Sequence, residues 1–153
     1  MTEEVEFSYK SPNDSPGYLL AHLTMLWQRK QKKALDPLDL THTQFVLLAS
    51  LSWLSRESDA VTQVDIANQS NADRMMVSKV LRTLEEKKFI TRQEHETDTR
   101  AKTIQLTDAG RETLQKAIIQ VENTDKDFFA TIEARLSAFN ADMLKLIDEN
   151  KGE

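Results

Sequence analysis

The run 74–82 carries three cations and no acid. Its side chains are those that grip or read a nucleic acid, not those that break bonds. Wound as a helix at about 100° per residue, it puts Met75, Lys79, Arg82 and Glu86 on one side, with Ser78 and Met76 flanking and Arg74 in the first turn. Lys and Arg match guanine edges or phosphates, Ser serves either, and Met presses on a thymine methyl. The competing reading is a solvated surface helix, which usually alternates acid with base. Glu85, Glu86, Lys87 and Lys88 do look like that, but the first three turns do not. Thr62, Gln63 and Asn71 upstream, and Asp98, Thr99, Arg100 and Lys102 downstream, complete the candidate contacts with duplex DNA. An arginine at a loop tip suits the narrow, electronegative minor groove. Glu94 and Glu96 oppose that, so only the Arg100 side should face DNA.

These residues need a frame. Val77, Val80, Leu81 and Leu84 fall opposite the cations within about 100° of arc, so a helix over about 72–87 would bury that stripe. Before it, Thr62 caps a short helix over 63–69, with Val61 and Ile66 at staple spacing. Ser70 and Asn71 make the turn, and Asn71 is expected to cap the longer helix. After it, Phe89 and Ile90 begin a first strand and 103–106 form a second, with Ile104 and Leu106 inward and a polar loop between them. The stretch 61–106 is thus a helix-turn-helix with a wing.

Helices flank it. Ser15 and Pro16 start one, with proline at the first helical position. It shows Leu19, Leu20, Leu23, Leu26 and Trp27 at helical spacing and ends in the basic run 29–33, which the helix dipole favours and which reads mostly as a solvated face. Asp36 and Pro37 break the chain. Thr41 and Gln44 form a capping box, flanked by Leu40 and Phe45, for a helix running to about Arg56 that is apolar nearly all round and should be buried. Thr107 caps a further helix. A break is expected at Leu136 and Ser137, or alternatively near 123–125, before a last helix to about Asn150.

The fold class expected is mainly α with a small β-wing, a winged helix-turn-helix core flanked by N- and C-terminal dimerisation helices. The expected division is a flexible tail (1–14), an N-terminal dimerisation helix (15–36), a DNA-binding lobe (37–106) and C-terminal dimerisation helices (107–153). The chain has 153 residues, 39% hydrophobic and 29% charged, enough for one packed domain. It has no cysteine, which removes disulfides and thiol chemistry. No apolar signal core or membrane span is evident, so the cytoplasm is the expected compartment. The net charge of −5 hides an uneven distribution: residues 62–102 hold eight basic and seven acidic side chains, the remainder twelve and eighteen. The positive field is therefore local to the 74–82 face.

Order and motifs together resemble the MarR family of transcription regulators. Asp98-Thr99-Arg100-Ala101 matches its wing signature, Asp-x-Arg and a small residue. Leu106-Thr107-Asp108-Ala109-Gly110 matches the Leu-Thr-x-x-Gly that opens the next helix. The recognition helix is matched by Val77-Ser78-Lys79-Val80-Leu81-Arg82-Thr83-Leu84-Glu85, and the start of the second helix by Gln44-Phe45. The resemblance covers about 41–115 by motif and 16–150 by architecture. It implies a homodimer on a near-palindromic operator, usually as a repressor, with the recognition helix in the major groove, Arg100 in the minor groove and Asp98 holding that arginine. It also implies release of DNA by a small aromatic ligand. Two positions depart from the pattern: Lys88 stands where the family often has glycine, and Ser70 where it often has leucine.

His22, Leu26 and Trp53 are the candidate effector-pocket residues, although Trp27 and Trp53 fit a plain core better. His22, His42 and His95 lie on three different elements and share no helix face, so no metal ligand set and no cofactor is expected. No nucleophile-base pair or phosphate loop appears, so an enzyme is not expected. The competing function is a winged helix that uses the same face for protein or RNA.

Overall fold

The computed structural model describes residues 2–94 and 102–152. Helix α1 (Pro16–Leu35) starts as its sequence dictates: Ser15 Oγ accepts from Tyr18 N at 3.3 Å and Pro16 takes the first turn. A 3-10 turn, Asp36–Leu38, leads to α2 (His42–Leu54). Its capping box is closed in both directions, Gln44 N to Thr41 Oγ1 and Thr41 N to Gln44 Oε1, each 3.1 Å. Leu47, Leu48 and Leu51 make α2 the central helix of the core. It stops two residues short of Arg56, and Trp53 is 59% exposed, so its last turn is not buried as expected.

Helix α3 (Gln63–Ser70) and helix α4 (Arg74–Glu86) follow. The junction corrects one expectation: the cap of α4 is Asp73, not Asn71. Asp73 Oδ1 accepts from Met75 N at 2.9 Å and Met76 N at 3.1 Å. Asn71 instead ends α3 in the left-handed conformation, φ +55°. The chemistry explains the exchange. The tight turn needs a residue that tolerates positive φ, as Asn does, and a carboxylate complements the helix N-terminus better than an amide. Ser70, where a leucine was the family's habit, turns its hydroxyl back onto Ile66 O (2.8 Å) and Ala67 O (3.3 Å).

Strands β1 (Ile90–Glu94) and β2 (Lys102–Leu106) pair antiparallel, Ile90 opposite Leu106 and Glu94 opposite Lys102. Phe89 lies just outside the sheet. A contact the sequence did not announce ties this wing to α3: Ile104 N donates to Val61 O at 2.8 Å and Thr62 bridges Thr103. Helix α5 (Asp108–Phe128) is capped by Thr107 and runs unbroken through 123–125. The break comes instead as a 3-10 segment, Ala130–Arg135, before α6 (Leu136–Asn150).

Three helix ends, at Asp39, Asn71 and Lys88, reverse on a left-handed residue with φ +54°, +55° and +65°. Each is closed by a backbone bond reaching five residues back, as from Phe89 N to Leu84 O at 3.0 Å. Asp and Asn accept that conformation readily. Lys88 does not, and it is the position where the sequence resemblance led one to expect glycine.

The core gathers Leu47 and Leu51 from α2, Ile66 from α3, Leu81 from α4, Ile90 and Ile104 from the wing. It also takes Leu35 from α1 and Leu114, Ala117 and Val121 from α5, so it reaches beyond residues 37–106. Helix α6 buries no residue. Among the described residues no helix is long and apolar enough to cross a membrane.

Candidate nucleic-acid interface

Val77, Leu81 and Leu84 of α4 are fully buried, and each contributes about 1.5–3 kcal/mol by leaving water. That sum fixes the roll of the helix and so decides what its other side presents. The outer side shows Arg74, Met75, Lys79 and Arg82 to solvent, with Met75 83% exposed, and Met76 and Ser78 half-buried at its edges. Among the described residues Arg74, Lys79 and Arg82 make no ion pair. The cations at the far end of the helix are used internally. Lys87 Nζ donates to Asp39 O and to Gln44 Oε1 (3.1 Å) and lies 3.6 Å from Asp39 Oδ2. This division of labour separates α4 from an ordinary solvated helix: among the described residues the outward cations of its first three turns have no acidic partner, and the later one braces the fold.

Thr62 and Gln63 stand half-buried at the start of α3. Thr62 Oγ1 accepts from Asp65 N at 3.3 Å, and Thr62 N donates to Asp65 Oδ2 at 2.9 Å. Its oxygen is thus engaged as a cap while the hydroxyl proton can still reach a phosphate. Asn71 is exposed in the turn between α3 and α4, and Lys102 is exposed at the open end of the wing. The Ile104–Val61 bond and the Thr62–Thr103 bridge hold the α3 cap against the wing strand that carries Lys102. Asp98, Thr99 and Arg100, with His95, lie outside the described residues.

One residue escaped the sequence reading. Arg92 of β1 alternates with Ile90 and so points inward, where its side chain is 17% exposed and its Nε lies 3.8 Å from Glu85 Oε1. It links the wing to the last turn of α4. The strand's period of two was the signal that would have found it.

The three candidate effector residues are not brought together within one protomer. Leu26 lines an apolar cavity of about 600 Å³ with Leu23, Phe128, Phe129, Ile132 and Phe139, closed at one side by the 3-10 segment. His22 is exposed beside Tyr18, with ring centroids 6.1 Å apart. Trp53 lies on another cleft, under the Arg56 guanidinium at 4.6 Å. Nor is Trp27 plain core: its Nε1 donates to Asp125 Oδ1 at 2.8 Å, and the same oxygen accepts from the buried Gln31 Nε2 at 2.6 Å. His42 sits edge-on to Trp27 at 5.0 Å. Burial lowers its pKa below 6.5, and the Asp125 carboxylate pulls the other way. Among the described residues no group of three His, Asp or Glu is placed to hold a metal ion.

Comparison with known proteins bears on this geometry. The model of the MarR family matches residues 40–102. YdcH of Bacillus subtilis (strain 168), an uncharacterized HTH-type transcriptional regulator, is 46% identical over 122 residues, which is 80% of this chain and 83% of that protein. Among solved structures, the S. aureus MepR–DNA complex superposes with a TM-score of 0.80 at 26% identity, over 88% of this chain and 98% of that one. BpsR of Bordetella bronchiseptica, whose DNA binding is regulated by 6-hydroxynicotinic acid, shares the fold with a TM-score of 0.81 at 22% identity, covering 92% and 99% of the two chains.

Proposed function

Because this chain belongs to the MarR family, we propose that it is a homodimeric transcriptional regulator that binds duplex DNA sequence-specifically and represses from a near-palindromic operator. The observation that carries this is the outer side of α4: Lys79 and Arg82 stand exposed and unpaired, within the described residues, directly opposite a fully buried stripe. In this reading α4 lies in the major groove, where Arg74, Met75, Met76, Ser78, Lys79 and Arg82 meet bases and phosphates. Thr62, Gln63, Asn71 and Lys102 hold the flanking backbone. Arg100, restrained by Asp98 and next to Thr99, enters the minor groove.

The dimer follows from uncovered apolar surface. Leu19, Leu20, Leu23 and Leu26 of α1 and Leu144, Leu146 and Ile147 of α6 are all exposed in a single chain. Large apolar side chains left uncovered on two helices are what a partner surface would bury. Two copies would place two α4 helices about 34–36 Å apart, one turn of B-DNA, which is why the operator should be near-palindromic. The arms for this are 15–36 and 107–153, and 37–106 is the DNA-binding lobe. A small aromatic effector completes the proposal. Relatives of this fold include CouR of Rhodococcus jostii RHA1, solved bound to p-coumaroyl-CoA. Leu26, on the cavity between α1 and the α5–α6 junction, is better placed to meet such a ligand than His22 or Trp53.

The test is selection of duplexes from a random library, followed by anisotropy titration at several salt concentrations. The expected result is a two-half-site duplex whose affinity falls steeply with salt, with a slope of roughly −0.9 per phosphate neutralised. Failure to enrich any duplex, or equal affinity for single-stranded RNA, would remove the proposal in favour of a protein- or RNA-binding winged helix.

A further inference from the structure

Met75 is 83% exposed on the outer side of α4, one turn from Lys79 and two from Arg82. Asp73 Oδ1 accepts from its amide at 2.9 Å, so the first turn is anchored while the thioether stands in solvent. A long apolar side chain left in water adds nothing to the fold. The other methionines among the described residues are better covered. Met76 is half-buried, Met25 43% exposed and Met143 37%, and the Met25 sulfur accepts from Arg29 Nη2 at 3.7 Å. The chain has no cysteine, so no thiol of its own intercepts an oxidant before it reaches that sulfur.

We propose that Met75 is a reversible oxidation site through which oxidants of the peroxide class weaken DNA binding. The thioether sulfur attacks one peroxide oxygen. The O–O bond breaks as the S–O bond forms, and sulfur gives up two electrons. The departing hydroxide takes the proton from the oxygen now on sulfur and leaves as water. The product is methionine sulfoxide, a polar, chiral group in place of an apolar one. A dithiol reverses the step through methionine sulfoxide reductases: the oxygen leaves as water and the dithiol closes to a disulfide.

The consequence follows from where the residue sits. In the major groove an apolar tip packs on a thymine methyl. The sulfoxide takes that partner away and sets an acceptor oxygen among the phosphates. Met75 lies opposite Val77, Leu81 and Leu84, so the added oxygen leaves the core untouched and acts on binding alone. The inference rests on the DNA-binding reading above and names a regulation of that same surface.

The experiment uses the full chain and the duplex selected from the random library. Protein is treated with hydrogen peroxide and sampled over time, each sample being divided between peptide mapping by mass spectrometry and anisotropy titration. Met75 is expected to gain its oxygen first, and affinity to fall at least about tenfold in step with it. Circular dichroism and sedimentation should stay unchanged over the same interval. Methionine sulfoxide reductases, one for each epimer, with dithiothreitol should restore the starting affinity. In Met75→Leu, whatever its own starting affinity, peroxide should shift binding by less than about twofold. Affinity that tracks oxidation of Met25 or Met143 instead, oxidised wild type that binds as before, or a Met75→Leu protein as peroxide-sensitive as wild type would overturn the switch and leave the DNA-binding reading standing. Untreated wild type that selects no duplex would overturn that reading, and the switch with it.

Discussion

Glycine should be the favoured residue at two positions of the joint where α4, β1 and α5 meet, so that removing it at one and adding it at the other shift stability in opposite directions. A Cβ added at Gly110 falls 2.0 Å from Phe89 O and 2.8 Å from Phe89 C, both backbone atoms. Phe89 O already accepts from Thr107 N at 3.0 Å. Thr107 Oγ1 accepts from Gly110 N at 3.0 Å and donates to Lys88 O at 2.6 Å. The start of the strand therefore cannot retreat without loosening bonds worth about 0.5–1.5 kcal/mol each. Added to an overpacking cost of about 1–3 kcal/mol, and offset by alanine's better helix propensity of roughly 1 kcal/mol, Gly110→Ala should destabilise by about 2–3 kcal/mol. Lys88, at φ +65°, works the other way. Relief of left-handed strain of about 1–2 kcal/mol, less the entropy a glycine adds to the unfolded chain, leaves Lys88→Gly stabilising by roughly 0.5–1 kcal/mol. Urea unfolding at one fixed protein concentration reads both, with the exposed Ala109→Gly as control at about 0.5–1 kcal/mol of loss. A Gly110→Ala protein as stable as wild type would refute the argument, since no flexible side-chain tip is there to yield.

Two further outcomes are expected. Lys79→Ala and Arg82→Ala should each leave the urea midpoint nearly unchanged and cost about 1–3 kcal/mol of operator binding if the residue is bidentate to a base, with specificity relaxed at one position; a loss uniform across sequences would assign that residue to a phosphate. His42, held neutral by burial, should make stability depend on pH with a definite sign. The unfolded chain takes up the proton first, so the contribution is complete above about 6.5, is lost as the pH falls from there to the lowered folded value, and is constant below that. His42→Gln should flatten that window in a denaturation series, and an unchanged profile would show that another group titrates there.

Local chemistry was legible in the sequence wherever a signal lay within a few residues. The Ser15, Thr41, Thr62 and Thr107 caps all stand as their neighbours dictate, because a hydroxyl three residues before a free N–H needs nothing from the rest of the fold. The buried stripe of α4 was equally plain, since helical periodicity is itself the record of burial. The α3–α4 turn was misread by two residues because Asn71 and Asp73 are both good caps. Only the need for a left-handed residue after Ser70 decides between them. The break read at Leu136 and Ser137 falls where α6 begins, and the alternative at Asn123, Thr124 and Asp125 fails because those residues look like a helix end only when taken alone.

Asp125 shows why such signals mislead. A carboxylate inside a helix reads as a breaker when its partners are unknown, yet here those partners are Trp27 and Gln31, more than ninety residues away in sequence. Gln31 is fully buried, so its amide nitrogen must be satisfied, and losing that acceptor would strand a donor at about 1–3 kcal/mol. These bonds fasten α1 to α5, and His42, edge-on to Trp27, brings the first turn of α2 against the pair. The node thus joins α1, α2 and α5 through side chains that no local sequence pattern could have paired.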